Sequence, residues 1–323
     1  MVMIVADVGG TNIRFARTTG LGCRLEDVTH FKCADFPGIE DAFAAYRQEV
    51  GPHDPLEAVS IAVAASVTHD HVDLTNNHWV FSKSTLHANL GCKRLLVIND
   101  FTAQALAQSD PTAHGNIPLI PGTPTPDAPL LVIGPGTGLG VSALLPTVPG
   151  HLPLEGQGGH VSFAPRSDSE AALYAFVADK QDYVSAEHVV SGGGLEMIYR
   201  FVTRDMADAP SMTALEIGTA AIKGAGPCQD SAIMMLNILG TIIANNVLTV
   251  GAWGGVVVAG GIVPRLASLI DHSDFANRIR HIGNESPLTA TLPVWLCVDP
   301  HAGLRGAQAG LACELLWGRE IRA

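Results

Sequence analysis

"MIVADVGGTNIRFAR" runs from Met3 to Arg17, and "LLVIGPGTGLGVSALLP" runs from Leu130 to Pro146. Each is an apolar run, a bend of glycine and threonine, and a second apolar run. Short aliphatic runs bounded by glycine predict strands, so each stretch reads as strand, tight bend, strand. One such stretch predicts a hairpin. Two, each followed by alternating helices and strands, predict an α/β chain made by internal duplication.

Working outward from the first bend, strands are expected at 2–8, 12–18 and 24–33. A helix over 38–50 places Ile39, Ala42, Phe43, Tyr46 and Val50 on one side, the spacing of a buried stripe. A strand at 57–65 and a helix at 83–90 follow, the helix capped by Ser82 and stopped by Gly91. "RLLVIND" then leads into a helix at 101–109. The turn-rich "IPGTPTPDAP" precedes the second bend. Beyond it a short strand is expected after His160, with helices near 168–179, 191–203, 211–223 and 230–250. Strands in "GVVVAGG" and "LPVWLCVD" precede a last helix from about 302. The domain reading is a small α/β domain at 1–110, completed by the C-terminal helix at about 301–323, and a large one at 111–300.

The totals exclude several classes. A chain of 323 residues, 47% hydrophobic, suits about two domains. The net charge of −12 argues against a nucleic-acid surface, which needs clustered Lys and Arg. It leaves room for a nucleotide, because backbone amides hold phosphates without a basic patch. Six cysteines without a C-x-x-C read as free thiols, and the start lacks a basic leader; a cytoplasmic location is expected. From Ser231 to Pro264 no residue is charged. Asn237, Thr241, Asn245 and Thr249 recur every four residues there, which predicts a buried helix with one polar face and no membrane span.

Glycine lets a backbone approach phosphate oxygens closely. Gly9, Gly10 and Thr11, with Gly136, Thr137 and Gly138, therefore read as two phosphate cradles; the alternative is a pair of ordinary hairpin turns. Neither bend carries the G-K-[ST] of a P-loop, and a strand rather than a helix follows Gly140. Asp7, at a strand end beside the first bend, suits Mg2+ held through water.

The motifs "ADVGGTNIRFA", "INDFTA", "GPGTGLGVS", "GGHVSFAP", "VVSGGGL" and "VVVAGGIVPR" occur in this order. Together they make the chain resemble the bacterial glucokinase family, among the sugar kinases and actin-like ATPases. It lacks the zinc-binding cysteine cluster of the related repressor-type sugar kinases. The resemblance implies a duplicated ribonuclease-H-like fold, two domains around a central cleft that closes over the sugar. It also implies ATP and Mg2+ as cofactors, transfer to the 6-hydroxyl of a hexose, most simply glucose, and a homodimer.

Carried over residue by residue, the resemblance makes Asp100 the base that takes the hydroxyl proton. Helix capping is the structural alternative for that carboxylate. Asn99, Gln157, His160 and Glu187 become sugar ligands, and Gly260 and Gly261 the place where adenosine lies. Carboxylates, amides and imidazole suit hydroxyls that both donate and accept. The departure is Gln157, where the family carries Glu. The amide keeps the shape and loses the charge, so weakened or relaxed sugar recognition is expected, with Glu155 as a conceivable substitute. "LTNNHW", with Thr75, Asn76 and Trp79, also matches the family and reads as structural. The competing readings are a sugar-binding regulator without turnover and a filament-forming ATPase, for which "GGHVSFAP" has no use.

Overall fold

The computed structural model of the chain describes residues 2–20, 22–51, 56–74, 77–109, 115–148 and 150–322. Its strands are β1 (Val2–Val8), β2 (Asn12–Thr18), β3 (Glu26–Lys32), β4 (Leu56–Val63), β5 (His71–Asp73), β6 (Val80–Ser82), β7 (Arg94–Asn99), β8 (Ile117–Ile120), β9 (Leu130–Pro135), β10 (Leu139–Pro146), β11 (His151–Glu155), β12 (Gly255–Val258), β13 (Val294–Leu296) and β14 (Ile321–Arg322). The helices are α1 (Ile39–Val50), α2 (Lys83–Leu90), α3 (Asp100–Leu106), α4 (Asp168–Ala178), α5 (Gly192–Val202), α6 (Ala214–Ala221), α7 (Pro227–Val250), α8 (Val263–Leu266), α9 (Phe275–Arg280), α10 (Ser286–Thr289) and α11 (Ala302–Ala312).

The chain divides into two compact units. The first comprises Met1–Asp110, Leu144–Glu155 and Asp299–Ala323, and the second Pro111–Ala143 and Gly156–Val298. Relative to the sequence reading, Leu144–Glu155 moves to the first unit. The cause is polar as well as steric: α3 packs on β11, Thr102 Oγ1 donates to Glu155 Oε1 at 3.2 Å, and Arg319 pairs with Glu155 Oε2 at 2.7 Å.

Among the described residues one six-stranded sheet runs β14-β7-β4-β1-β2-β3, another runs β8-β13-β12-β9-β10-β11, and β5 and β6 pair antiparallel as a two-stranded ribbon. In the first, β1, β4 and β7 are parallel, and β2 and β14 run against them. In the second, β9, β12 and β13 are parallel and β8 runs against them. Each sheet thus has three central parallel strands, a hairpin partner joined through a glycine bend, and an antiparallel edge. The duplication is the one the twin bends predict, and the arrangement is the ribonuclease-H-like fold that the family resemblance implies. Apart from Glu57 and Ser60, β4 is apolar, and it is almost wholly buried along its length, as a strand covered on both faces must be. Each sheet has its own core, one around Phe15, Tyr46 and Ile61, the other around Leu131, Leu239 and Phe275.

The uncharged stretch forms α7, started by Pro227 at its first turn and stopped by Gly251 in the left-handed conformation. By length and composition it could cross a membrane. In the fold it packs against α5, α6 and α9. Its polar stripe is used: Asp274 N donates to Asn237 Oδ1 at 2.6 Å, and Arg278 Nη1 to Thr241 Oγ1 at 3.1 Å. Asn245 and Thr249 are exposed.

The sequence reading missed the short strands β8, β11 and β14, and it misplaced one. No strand follows His160. Gly158–His160 forms a 3-10 turn, and beyond it only Ser162 makes an isolated bridge to Ser185.

Candidate active site

In the first unit, β1 delivers Asp7 near its C-terminal end, and the β1–β2 register sets Arg14 directly opposite. Arg14 Nη1 donates to Asp7 Oδ2 at 3.2 Å, and Arg14 Nε to His30 Nδ1 at 3.3 Å. Asp7 Oδ1 makes no hydrogen bond among the described residues. Burial raises the Asp7 carboxyl above its ordinary range, with Arg14 pulling the other way. Helix α11 comes in close: a Cβ at Gly303 would stand 2.6 Å from Asp7 Cγ, so this contact admits only glycine.

Asp100 follows the last residue of β7. The cap of α3 belongs to its neighbour, because Asn99 Oδ1 accepts from the N–H groups of Phe101 at 2.9 Å and Thr102 at 3.3 Å. Asn99 Nδ2 donates to Ala65 O at 3.2 Å. Capping therefore occupies Asn99 Oδ1, and the Asp100 carboxyl is left with bonds inside its own turn, among them Phe101 N–H to Oδ1 at 2.9 Å. The Asp100 carboxyl keeps a path to solvent. Burial by surrounding protein, reinforced by the charge of Asp7, pushes it up to about 7.

The two bends differ in detail. At the first, Gly9 N donates to Asn12 O at 2.9 Å, and Thr11 is exposed. At the second, Gly136 N donates to Gly138 O at 2.8 Å. A side chain at Gly138 would overlap Glu187 Oε2, whereas one at Gly136 would meet nothing. Gly260 has φ +83° and lies so near Pro135 that a Cβ would stand 2.5 Å from its carbonyl oxygen. Only glycine satisfies both conditions. Gly261, beside it, faces open space.

In the second unit the loop "GQGGH" folds against this bend. Glu187 Oε2 accepts from Leu139 N at 2.7 Å, and Glu187 N donates to Gly159 O at 2.9 Å. His160 Nδ1 lies 4.0 Å from Glu187 Oε1. Gln157 caps the same 3-10 turn, exposed, with its side-chain amide unpartnered among the described residues. The structure thus gathers Gly138, Gln157, His160 and Glu187 in one place. Glu155 cannot stand in for a charge at 157, since Thr102 and Arg319 occupy both its oxygens in the first unit.

Trp79 is buried, with Nε1 donating to Phe36 O at 3.1 Å; Thr75 and Asn76 lie outside the described residues. Sequence reasoning passed over Arg14 and Gly303. Arg14 was legible from hairpin register, because four residues between the paired Val8 and Ile13 set position 7 opposite position 14. Gly303 had no local signal, since its cause is a side chain nearly three hundred positions earlier.

Comparison with known proteins adds the family. The Glucokinase family model matches residues 4–313. The glucokinase of Chromobacterium violaceum is 38% identical over 314 residues, covering 97% of this chain and 90% of that protein. Among solved structures, a glucokinase from an Antarctic psychrotroph superposes with a TM-score of 0.84 at 32% identity, covering 96% of this chain and 98% of its own. The fold is shared more widely: a ROK family glucokinase from Streptomyces griseus, solved with glucose and AMPPNP, gives 0.64 at 19% identity over 95% and 98% of the two chains. The chain belongs to the glucokinase family and is an ATP-dependent hexose kinase.

Proposed function

We propose that this kinase phosphorylates glucose at the 6-hydroxyl, with Asp100 as the general base. The observation that supports the assignment is the division of labour at the start of α3, where Asn99 Oδ1 takes the cap and Asp100 keeps only bonds within its own turn. A carboxyl pushed up to about 7 is well matched to accepting a proton near neutral pH. Phosphoryl transfer leaves the protein little covalent work beyond this, so positioning and charge supply the rest.

The bends at Gly9–Thr11 and Gly136–Gly138 supply backbone N–H donors for the ATP phosphates, and Gly260 and Gly261 a bare surface for adenosine. Asp7 suits Mg2+ held through water: its Oδ1 is unspent, and the mutual disfavour of the Asp7 and Asp100 charges is what a cation relieves. When bound with the nucleotide, the ion supplies charge neutralisation on the phosphates.

His160, Glu187 and Gln157 read the sugar. Glu187 is oriented by the Leu139 N–H, so its second oxygen remains for a hydroxyl. Gln157 offers a neutral amide, and the exposed side chain has no other duty. Sugar affinity therefore rests on Glu187 and His160, with Gln157 adding a weaker bond. Asn99, whose amide already bonds Ala65 O and the Asp100 carboxyl, serves chiefly to hold that carboxyl in place. ADP release measured across several hexoses, for the parent chain and for Asp100→Asn, tests the reading. Glucose-dependent turnover lost in the variant supports it, and turnover independent of sugar overturns it.

A further inference from the structure

Asn77 belongs to "LTNNHW", a stretch whose matching residues have no place in the chemistry above. Its side chain ties the β5–β6 ribbon to the first glycine bend: Asn77 Nδ2 donates to Gly9 O at 3.3 Å, and Asn77 Oδ1 accepts from Trp79 N at 3.2 Å. The same carbonyl has a second donor, Cys33 Sγ at 3.8 Å, while Cys33 N donates to Thr11 O at 2.9 Å.

The consequence follows from peptide geometry. In a planar trans peptide the C=O of one residue and the N–H of the next point in opposite directions. Pinning the Gly9 carbonyl into the protein turns the Gly10 N–H outward, and that N–H has no partner among the described residues. Without a pin, a Gly-Gly peptide turns over readily, since glycine accepts either sign of φ. The second bend carries the same device with a different donor. There the Gly136 carbonyl accepts from Gly192 N at 2.8 Å, at the start of α5, which turns the Thr137 N–H the opposite way.

We infer that Asn77, assisted by Cys33, is a positioning residue for ATP, fixing the Gly9–Gly10 peptide so that the Gly10 N–H faces the nucleotide phosphates. The inference rests on the phosphate-cradle reading of the first bend. Loss of one neutral hydrogen bond at a pin predicts a rise of roughly two- to tenfold in the ATP KM, with the glucose KM unchanged.

The experiment compares Asn77→Ala, Cys33→Ala, Cys33→Ser and Gly10→Pro by KM for ATP, KM for glucose and AMPPNP binding. Gly10→Pro removes the N–H itself, so an unchanged ATP affinity in that variant overturns the cradle reading. ATP weakened by Gly10→Pro but not by Asn77→Ala overturns the positioning role alone. The inference predicts ATP-selective weakening in Asn77→Ala and Cys33→Ala, and near-parent ATP affinity in Cys33→Ser, which keeps a donor. Equal losses for ATP and glucose would mark a merely structural role and overturn it. If Asn77→Ala does not fold, the contrast between Cys33→Ala and Cys33→Ser decides.

Discussion

The two units carry the same sheet and arm it differently. In the first, the parallel strands β1 and β7 deliver two carboxylates, Asp7 and Asp100, at or just past their C-terminal ends. The corresponding ends in the second unit carry Gly134, Ala259 and Cys297. There backbone meets backbone: a side chain at Gly134 would collide with Ala259, and one at Gly260 with Pro135. Duplication of a fold thus duplicates the bend and the strand ends, while the residue at each end decides whether a carboxylate or bare backbone stands there. The carboxylate of the second unit, Glu187, arrives from a loop.

The contrast can be broken most sharply at Asp100. Asp100→Asn should lower kcat by about 10²–10⁴-fold, the usual worth of a general base, and leave the ATP KM near the parent value. The same variant tests the electrostatics in the absence of substrate. A folded-state carboxyl raised to about 7 from an unfolded value of 3.8 binds its proton more tightly when folded. The parent therefore loses stability as pH climbs from about 4 to about 7, and the loss is complete above that. Urea denaturation should find Asp100→Asn more stable than the parent by about a few kcal/mol at pH 8, with the gap closing at pH 4.

The bare-backbone unit makes the opposite demand. Gly260→Ala combines a left-handed φ with a backbone collision and should cost about 2–4 kcal/mol in denaturant unfolding, whereas Gly136→Ala, in open space, should stay within about 1 kcal/mol. Removing the cap with Asn99→Ala should cost about 1 kcal/mol of stability. The smallest effect belongs to the loop proposed to read the sugar: Gln157→Glu should lower the glucose KM by a few-fold, about 1 kcal/mol, while Glu155→Gln leaves it unchanged. An unaltered glucose KM in Gln157→Glu would show that position 157 does not read the sugar.

Much of this was legible in the chain because the signals were local. The twin bends, the Asp100 position and the stripe on α7 each announce themselves within a few residues. What was not legible arises from packing at a distance. The strands β8 and β14 are four and two residues long, too short to show a period. Gly158 and Gly159, expected to lead into a strand, are glycines because Val141 and Leu139 leave them no room. The commitment of Glu155 to Arg319 joins residues remote in sequence, and no spacing rule reaches that far. Capping of α3 was weighed only as an alternative for Asp100, and that Asn99 fills it shows only in the hydrogen bonds of the folded turn.

The division of labour is tested most directly by one single-turnover experiment on two variants, Asp100→Asn and Gly138→Ala, with phosphorylated sugar as the readout. The account predicts opposite failures. Asp100→Asn should saturate with both ligands at near-parent concentrations and then transfer about a thousandfold more slowly. Gly138→Ala, which displaces Glu187, should need far more glucose to saturate and then approach the parent rate. If both variants lose the same parameter, or if Asp100→Asn transfers within tenfold of the parent, the assignment of the proton to the first unit is wrong.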